Sequence, residues 1–373
     1  MTASRLAALA LALSLSVAAT QIEAQSGPQV TKQYANGGVY VGVLSGGEPH
    51  GQGRYTLPNG YEYEGDWVNG AREGQGRAQF VDGSVYEGAF LDGKPHGTGQ
   101  IVLPDGTATV GDWVDGKMTG DGVATYPDGS VYTGAFRENL RWGQGVYTAP
   151  DGYRYEGGWE QGLRNGTARI ELADGSVYDG EMRNDRRNGQ GKLTMPDGFV
   201  YDGAWSDDQI SGFGRVAYVN GDVYEGVLIL GRRNGNGMMI YANSDRYEGA
   251  FVDDRRQGQG LFVGTDGYRY EGGWQKGLHH GEGVLTYPDG AVYTGAFVEN
   301  LPEGTGKIVY ASGDSYDGEW VAGVIEGQGT ARRINGVVYV GAFRDGERHG
   351  QGRMEAPDGY VYGGGWDRGV RDG

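Results

Sequence analysis

The sequence contains no cysteine, and it has only 11 prolines and 32 basic residues against 49 acidic ones. The absence of cysteine excludes a disulfide framework and a lipid-modified cysteine anchor. The net charge of −17 gives a surface that repels nucleic acid phosphates and anionic lipid headgroups. The sequence therefore predicts no nucleic acid partner, whereas a cationic partner is compatible with this charge.

Long hydrophobic runs are also lacking, with one exception near the N-terminus. Arg5 precedes the apolar run LAALALALSLSVAA (Leu6 to Ala19), and Ala24 offers a small-residue cleavage site before Gln25. We interpret residues 1–24 as a signal peptide. The alternative is an uncleaved membrane anchor, which needs roughly 20 apolar residues. The predicted location is therefore outside the cytoplasm, in the periplasm, in the cell envelope or secreted.

The rest of the chain is one motif repeated every 23 residues. Tyrosine, or threonine in one case, recurs at this spacing, and a glycine follows two residues after each starting position. A fixed period of about 20 to 50 residues is typical of a repeat array. The starting positions are Tyr40, Tyr63, Tyr86, Thr109, Tyr132, Tyr155, Tyr178, Tyr201, Tyr224, Tyr247, Tyr270, Tyr293, Tyr316, Tyr339 and Tyr362.

Within a unit the residues alternate with period two, which indicates a β-strand. Tyr86, Gly88 and Phe90 are expected on one face, called here the aromatic face, and Glu87 and Ala89 on the opposite face. Glycine on the aromatic face leaves bare backbone, over which we expect rings from neighbouring strands to lie. A buried tyrosine or tryptophan covers about 150–250 Å².

Two connections complete the predicted hairpin. A six-residue loop is expected at Leu91 to His96, and Pro104-Asp105-Gly106 is expected to turn into the next unit. Asp-Gly between alternating runs is a strong hairpin signal, because glycine adopts positive φ without strain. Ser244 is the one position where the turn glycine is missing. Helix is disfavoured, because each glycine in a helix costs about 1 kcal/mol relative to alanine.

The array is expected to begin and end on half-hairpins. Residues 28–39 match only the second half of a unit, and Asp372-Gly373 falls in the loop of the fifteenth unit. We therefore divide the sequence into a signal peptide at 1–24, a linker and N-terminal half-hairpin at 25–39, and an array at 40–373 with fourteen full units and a terminal half. Unpaired backbone groups of a half-hairpin are templates for another strand, which favours self-association.

These residues resemble the MORN family, the membrane occupation and recognition nexus repeats. The pattern is Tyr-x-Gly-x-Trp/Phe, a Gly-containing loop, Gly-x-Gly, an apolar run and Asp-Gly. In one unit it reads Tyr63-Glu64-Gly65-Asp66-Trp67, Gly70, Gly74-Gln75-Gly76, Phe80 and Asp82-Gly83. The departures are Leu44, Thr109, Ala168, Met182, Leu228 and Ser244. The resemblance implies an all-β fold, an elongated single-sheet array of stacked antiparallel β-hairpins.

No catalytic, cofactor-binding or metal-binding residue is predicted. The Gly-x-Gly pairs lack the strand-turn-helix context of a phosphate-binding loop. Four of the five histidines occupy one repeated loop position, and only the adjacent pair His279-His280 could help to form a surface metal site. A row of acids one residue after tyrosine is read as a solvated face. These acids are Glu64, Glu87, Glu156, Asp179, Asp202, Glu225, Glu248, Glu271 and Asp317.

Three functions remain compatible with the sequence. The first is a non-enzymatic scaffold for protein–protein interaction or self-association, and the second is glycan binding through exposed rings. The third is phospholipid binding, which the family resemblance implies. Exposed ring faces would favour glycans, basic loops would favour lipid, and an apolar face would favour protein. The only basic loops, at 183–188 and 231–235, have acidic neighbours.

Export with cleavage is the first testable expectation, because the run before Ala24 has the length of a signal peptide. N-terminal sequencing of protein recovered outside the cytoplasm should begin at Gln25, with Thr20 as the secondary start. A chain that retains Met1 in the membrane fraction would instead be anchored.

The second expectation concerns size in solution. About 30 strands at roughly 4.8 Å each give about 140 Å of sheet. A globular protein with the same number of residues has a radius of gyration near 20 Å, whereas a rod about 140 Å long has about twice that value. Small-angle scattering measures this radius, and a value close to the globular one would contradict the extended array.

Overall fold

The structure is a computed structural model that describes residues 27–372, so the predicted signal peptide lies outside the described residues. Those residues form β-strands and turns without a helix, and no helix among them is long and apolar enough to cross a membrane. All 31 strands belong to one antiparallel sheet, as predicted. The count exceeds the expected 30 because Val370–Asp372 forms a short additional strand.

By its internal contacts the chain divides into two parts, each of which contains several of the 23-residue units. The first consists of the residues up to Pro127 together with Phe136–Asn139, and the second consists of Asp128–Ala135 and Leu140–Gly373. Within each of these two parts, consecutive strands pair antiparallel. Each part is therefore a run of hairpins in chain order.

The strands up to residue 137 are β1 (Val30–Gln33), β2 (Val39–Ser45), β3 (Glu48–Thr56), β4 (Glu62–Val68), β5 (Ala71–Gln79), β6 (Val85–Leu91), β7 (Lys94–Val102), β8 (Ala108–Val114), β9 (Lys117–Thr125) and β10 (Val131–Arg137). The next ten are β11 (Leu140–Thr148), β12 (Arg154–Glu160), β13 (Leu163–Glu171), β14 (Val177–Arg183), β15 (Arg186–Thr194), β16 (Val200–Ser206), β17 (Gln209–Ala217), β18 (Val223–Ile229), β19 (Arg232–Ile240) and β20 (Arg246–Val252). The last eleven are β21 (Arg255–Val263), β22 (Arg269–Gln275), β23 (Leu278–Thr286), β24 (Val292–Val298), β25 (Leu301–Val309), β26 (Ser315–Val321), β27 (Val324–Arg332), β28 (Val338–Arg344), β29 (Glu347–Glu355), β30 (Val361–Asp367) and β31 (Val370–Asp372).

The connection after the first strand of a unit, for example after β6, is shorter than predicted. Only Asp92 and Gly93 lie between β6 and β7, with φ of 49° and 76°, so the expected six-residue loop is wrong. Two positive φ values define a type I′ turn, whose twist matches that of the flanking strands. The additional residues are accommodated by a β-bulge between Gly88 and Phe90, near Gly97 with φ of 66°.

The turn into the next unit occurs where the sequence places it. Asp82 accepts hydrogen bonds from the backbone N–H and the hydroxyl of Ser84, at 2.9 and 2.6 Å. These bonds lower the pKa of the Asp82 carboxyl. Ser244, which replaces the turn glycine, has the positive φ of 71° that this turn requires.

The core of the sheet is its aromatic face. In twelve units the tyrosine at the start is almost fully inaccessible: Tyr40, Tyr63, Tyr86, Tyr132, Tyr155, Tyr178, Tyr201, Tyr224, Tyr247, Tyr270, Tyr293 and Tyr316 are each less than 2% exposed. Burial raises the pKa of Tyr86, for example, to about 12. Most domains bury their core between two packed layers, whereas here the row of rings forms the core on a single sheet.

The Tyr86 ring covers both glycines of its pair: Gly99 lies on the neighbouring strand, as expected, whereas Gly88 lies on the same strand as the ring. A Cβ on Gly88 would lie 2.7 Å from the Tyr86 hydroxyl and 2.5 Å from the Cα of Gly99. The Tyr86 hydroxyl then donates a hydrogen bond of 3.0 Å to the carbonyl of Ala89. Tyrosine therefore folds over the glycine two residues later and over its cross-strand partner, so neither position has space for a side chain.

Replacement of Gly88 by valine tests this packing. Gly88→Val should lower the melting temperature more than Glu87→Val, because Gly88 lies under the Tyr86 ring and Glu87 is exposed on the opposite face. Overpacking costs about 1–3 kcal/mol, against about 0.5 kcal/mol for a surface change. Thermal unfolding of the two variants measures the difference, and equal melting temperatures would contradict the assignment of faces.

Candidate functional site

The predicted row of acids lies on the opposite face and is exposed throughout. Basic residues stand across from several of them: Arg77 Nε lies 3.1 Å from Glu87, and an Arg169 guanidinium nitrogen lies 2.9 Å from Asp179. Exposed ion pairs of this kind contribute about 0–1 kcal/mol each. The acids therefore form a solvated row, in which Glu87, Glu156, Asp179, Glu248 and Glu271 are ion-paired.

The histidines do not come together. His279 lies on the aromatic face and is 7% exposed, whereas the neighbouring His280 belongs to the same strand, where successive side chains point to opposite faces. The two therefore do not form a joint surface site. No group of three or more metal-ligating side chains occurs among residues 27–372.

A feature that sequence reasoning missed is a row of side chains that cover the aromatic face, called here the cap row. Its members occupy the second position of the strand after each type I′ turn, again at 23-residue spacing. They are Pro49, Arg72, Pro95, Met118, Arg141, Arg164, Arg187, Ile210, Arg233, Arg256, His279, Pro302, Ile325, Arg348 and Arg371. The fixed spacing and the frequent arginine are the signal that could have found it.

Five of the cap arginines lie over a ring of the next unit: Arg141, Arg187, Arg233, Arg256 and Arg348. The guanidinium carbon of Arg187 lies 4.3 Å from the centre of the Trp205 ring, and that of Arg141 lies 4.1 Å from Trp159. A cation over an aromatic face contributes about 0.5–2 kcal/mol. The cap row therefore couples neighbouring units and shields the rings from water.

Acidic turn residues hold several of these caps in place. Asp208 accepts hydrogen bonds from the backbone N–H of Arg187, at 2.9 Å, and from its Nε, at 3.2 Å. Asp185 binds Arg164 and Asp254 binds Arg233 in the same way. These arginine charges are already balanced within the chain, so this part of the aromatic face is not a free cationic site.

His279 is the one histidine in the cap row, and its ring stacks on Tyr270 with centroids 3.6 Å apart. The backbone N–H of His279 donates a hydrogen bond of 2.8 Å to the side-chain oxygen of Asn300, whereas the buried Nδ1 of the His279 ring has no partner. Burial, with a smaller contribution from the charge of Arg256, lowers the pKa of His279 to about 4. His279 is therefore neutral at physiological pH.

Open clefts follow the aromatic face beside the cap row. One of about 600 Å³ is lined by Phe199, Tyr218, Arg233, Met239 and Asp254, among others. Another, of about 430 Å³, lies between Trp205, Ile210 and Leu230. In both, Arg–Asp pairs and apolar side chains form the walls.

An irregularity of the array lies in β17, β18 and the turn that follows, and forms what we call the apolar ridge, made of Ile210, Phe213, Val227, Ile229 and Leu230. Phe213, Ile229 and Leu230 are 61%, 53% and 66% exposed. Phe213 lies directly opposite Val227 on adjacent strands, and Ile229 follows on the same face as Val227. The ridge continues around the turn at Leu230 to Ile210, which lies opposite Trp205 on the aromatic face.

Two of these residues depart from every other unit. The position of Phe213, between the two small residues of Gly-x-Gly, is polar elsewhere: Gln52, Gln75, Thr98, Asp121, Gln144, Thr167, Gln190, Asn236, Gln259, Glu282, Thr305, Gln328 and Gln351. Leu230, at φ of 52°, is the one large apolar residue at the first position of the type I′ turns among residues 27–372. Function normally resides in such irregularities of a repeated framework.

Comparison with protein families supports the repeat assignment. A model described as MORN repeat matches fourteen segments between residues 40 and 359, in register with the 23-residue period. The comparison with curated proteins gave no match.

Comparison with solved structures gave more distant similarities. The TCP domain of Drosophila melanogaster SAS-4, solved with a proline-rich motif of Ana2, is 17% identical with a TM-score of 0.27 over 47% of this chain and 88% of that one. The TCP10 domain of Danio rerio CPAP is 15% identical with a TM-score of 0.18, over 65% and 93%. Virginiamycin B lyase from Staphylococcus aureus is 10% identical with a TM-score of 0.13, over 79% and 95%. TM-scores this low do not establish a common fold.

Removal of a cap arginine tests the coupling between units. Arg187→Ala should destabilise the chain by about 1–2 kcal/mol, because it removes the cation over Trp205 and the bonds to Asp208. Arg186→Ala is the matched control, since Arg186 is 61% exposed and lies 3.9 Å from Asp207. Urea unfolding measures both, and equal losses would show that the cap row contributes no more than surface charge.

The buried histidine gives the array a pH dependence. In the unfolded chain His279 has an ordinary pKa near 6.5, so the unfolded state binds more protons as the pH falls toward 4. His279 should therefore cost stability at about pH 5 relative to about pH 7. His279→Ile, which copies Ile210 and Ile325, should lose less stability over that interval in urea unfolding. A parallel loss in both proteins would place the titration elsewhere.

Proposed function

The chain belongs to the MORN repeat family, and from that premise we propose that it is a non-enzymatic scaffold that binds protein partners outside the cytoplasm. The observation that carries this proposal is the apolar ridge, in which Phe213 is 61% exposed at a position that is polar in all other units and Leu230 is 66% exposed at a turn position that holds no other large apolar residue among residues 27–372. Exposed apolar clusters within a polar surface are typical of protein-interaction sites.

Burial of the rings that recur in the repeat favours protein over glycan as the partner. Glycan stacking needs accessible ring faces. The buried tyrosines at the starts of the units, and tryptophans such as Trp67, Trp205 and Trp320, are at most 7% exposed. Their polar atoms are also engaged, since the Trp205 indole N–H donates a 2.9 Å bond to the carbonyl of Gly191. These groups are used by the fold.

The electrostatics disfavour phospholipid as the main ligand. A basic residue near an anionic leaflet contributes about 1 kcal/mol of attraction, whereas this chain carries −17. In the two basic loops the cap arginines Arg187 and Arg233 are paired with Asp208 and Asp254. Two of the five cations of these loops are therefore already neutralised within the chain.

Capture from the envelope fraction tests the proposal. The mature chain, immobilised away from β16–β19, is incubated with solubilised envelope, and bound proteins are identified by mass spectrometry. We expect a small set of proteins, absent from a control in which the array has been unfolded and blocked. A protein-free eluate would contradict the scaffold function.

Two further measurements separate the alternatives. Flotation with phosphatidylserine vesicles at low salt should leave the chain unbound, and salt-sensitive flotation would favour the phospholipid reading. Self-association through the half-hairpins stays a prediction, for which light scattering across a concentration series should show a mass that rises with concentration. A constant monomer mass would restrict the function to heterologous partners.

A further inference from the structure

We propose that the apolar ridge is the docking site for a cationic amphipathic helix of the partner, with the apolar side of that helix on the ridge and its Lys or Arg residues toward the surrounding carboxylates. This inference rests on the proposed scaffold function and assigns it a place and a ligand chemistry. The helix is assigned to Phe213, Val227 and Ile229, which share the face opposite the rings, with Leu230 at the adjoining turn. Ile210, on the aromatic face beyond that turn, is not part of the contact.

Two of the ridge residues, Phe213 and Leu230, are not required by the fold. At the position of Phe213 the other units fold with Gln, Thr, Asn or acidic residues, and at the position of Leu230 with residues such as Asn69 and Asp92. A leucine in the left-handed region costs roughly 1–2 kcal/mol relative to ordinary backbone. Large exposed side chains near the centre of a patch are the kind that contribute most to binding on burial.

The spacing of the ridge suits a helix. Phe213 and Val227 are directly opposed neighbours across β17 and β18, about 5 Å apart at Cβ. Val227 and Ile229 are two residues apart on one face of β18, about 7 Å along the strand. Side chains three and four residues apart on a helix are about 5–6 Å apart, so one apolar stripe can contact these residues in register.

The charge around the ridge favours a cationic occupant. Residues 200–240 contain five acids and three bases, so the net charge is 3 − 5 = −2. Asp207 and Asp208 already pair with Arg186 and Arg187, whereas Asp202, Asp222 and Glu225 form no ion pair within residues 27–372. Glu225 is two residues from Val227 on the same exposed face. It forms no ion pair within residues 27–372, although Arg215 stands across the sheet from it.

The same charge argues against a second copy of this chain as the occupant. Two copies would bring chains of −17 together at the ridge, and repulsion between like charges disfavours that contact. A segment with lysine on its polar side is attracted by the same field. Complementary charge then adds association rate and specificity to the apolar contact.

A synthetic peptide tests the inference directly. The probe is a fluorescein-labelled peptide of about 18 residues with leucine at helical spacing and lysine at the polar positions, compared with the same peptide carrying glutamate for lysine. Fluorescence anisotropy with the mature chain should show salt-sensitive binding of the lysine peptide, weakened at least about tenfold by the glutamate exchange. Equal affinity for the two peptides, or no binding of the lysine peptide, would overturn the assigned chemistry.

Matched variants locate the contact. The double variant F213Q/L230N installs residues found at the same positions in other units, such as Gln190 and Asn184, and leaves the charge unchanged. It should keep the melting temperature of the parent chain and lose at least about tenfold in affinity. Val321→Ser is the control, because Val321 is 53% exposed at the position equivalent to Ile229, and it should bind normally. Unchanged affinity of F213Q/L230N, or an equal loss in Val321→Ser, would remove the ridge as the site.

The test distinguishes this inference from the proposed function. A chain that captures envelope proteins equally well with and without F213Q/L230N keeps its scaffold function and loses this site. A chain whose captured proteins disappear with F213Q/L230N, and which binds the lysine peptide at the ridge, supports both. Binding of cell-wall glycan that is abolished by F213Q/L230N would assign the ridge to a different ligand class and overturn the inference.

Discussion

The whole array depends on the contact between a tyrosine ring and two glycines. Tyr86 lies over Gly88 and Gly99, and its hydroxyl bonds to the carbonyl of Ala89. The ring can occupy this place only because neither glycine has a side chain. Glycine in a strand otherwise weakens it, since it adds backbone entropy and no packing surface. Here the apolar surface of the tyrosine offsets that weakness and buries a core within a single sheet.

Each ring also depends on the neighbouring unit. Tyr63 contacts Trp67 of its own unit at 5.3 Å and Phe90 of the next at 4.9 Å, both edge to face. The tryptophan indole then donates to a glycine carbonyl 14 residues earlier, as Trp67 does to Gly53 at 3.1 Å. Such nearest-neighbour coupling is the usual source of stability in a repeat protein. It leaves these rings unavailable for binding, so the exposed departures from the pattern are the better candidates for function.

Much of this fold could be predicted from the sequence. The 23-residue period, the alternation around Tyr86 and the Asp-Gly turns are local patterns, and each appears in the structure at the predicted place. The type I′ turn at Asp92-Gly93 was missed, because a β-bulge takes up residues that look like a loop. The cap row was also missed, since Arg187 contacts a ring of the next unit, 18 residues later in the chain. Phe213 carries a visible sequence signal, as the one apolar residue between two glycines, but only its 61% exposure shows that it faces solvent.

The central claim is that the tyrosines at the starts of the units lie over glycine and form the core. The most direct test follows the tyrosinate absorbance of the native chain as the pH rises. Burial raises the pKa of Tyr86, Tyr201, Tyr247 and Tyr293 to about 12, against an ordinary value of about 10. Tyrosines with a pKa this high should stay un-ionised at about pH 11 while the strand signal in circular dichroism is retained, so the absorbance should fall well short of that of 26 tyrosinates. Ionisation of nearly all 26 near pH 10 in a folded chain would show that the rings are accessible and would contradict this account.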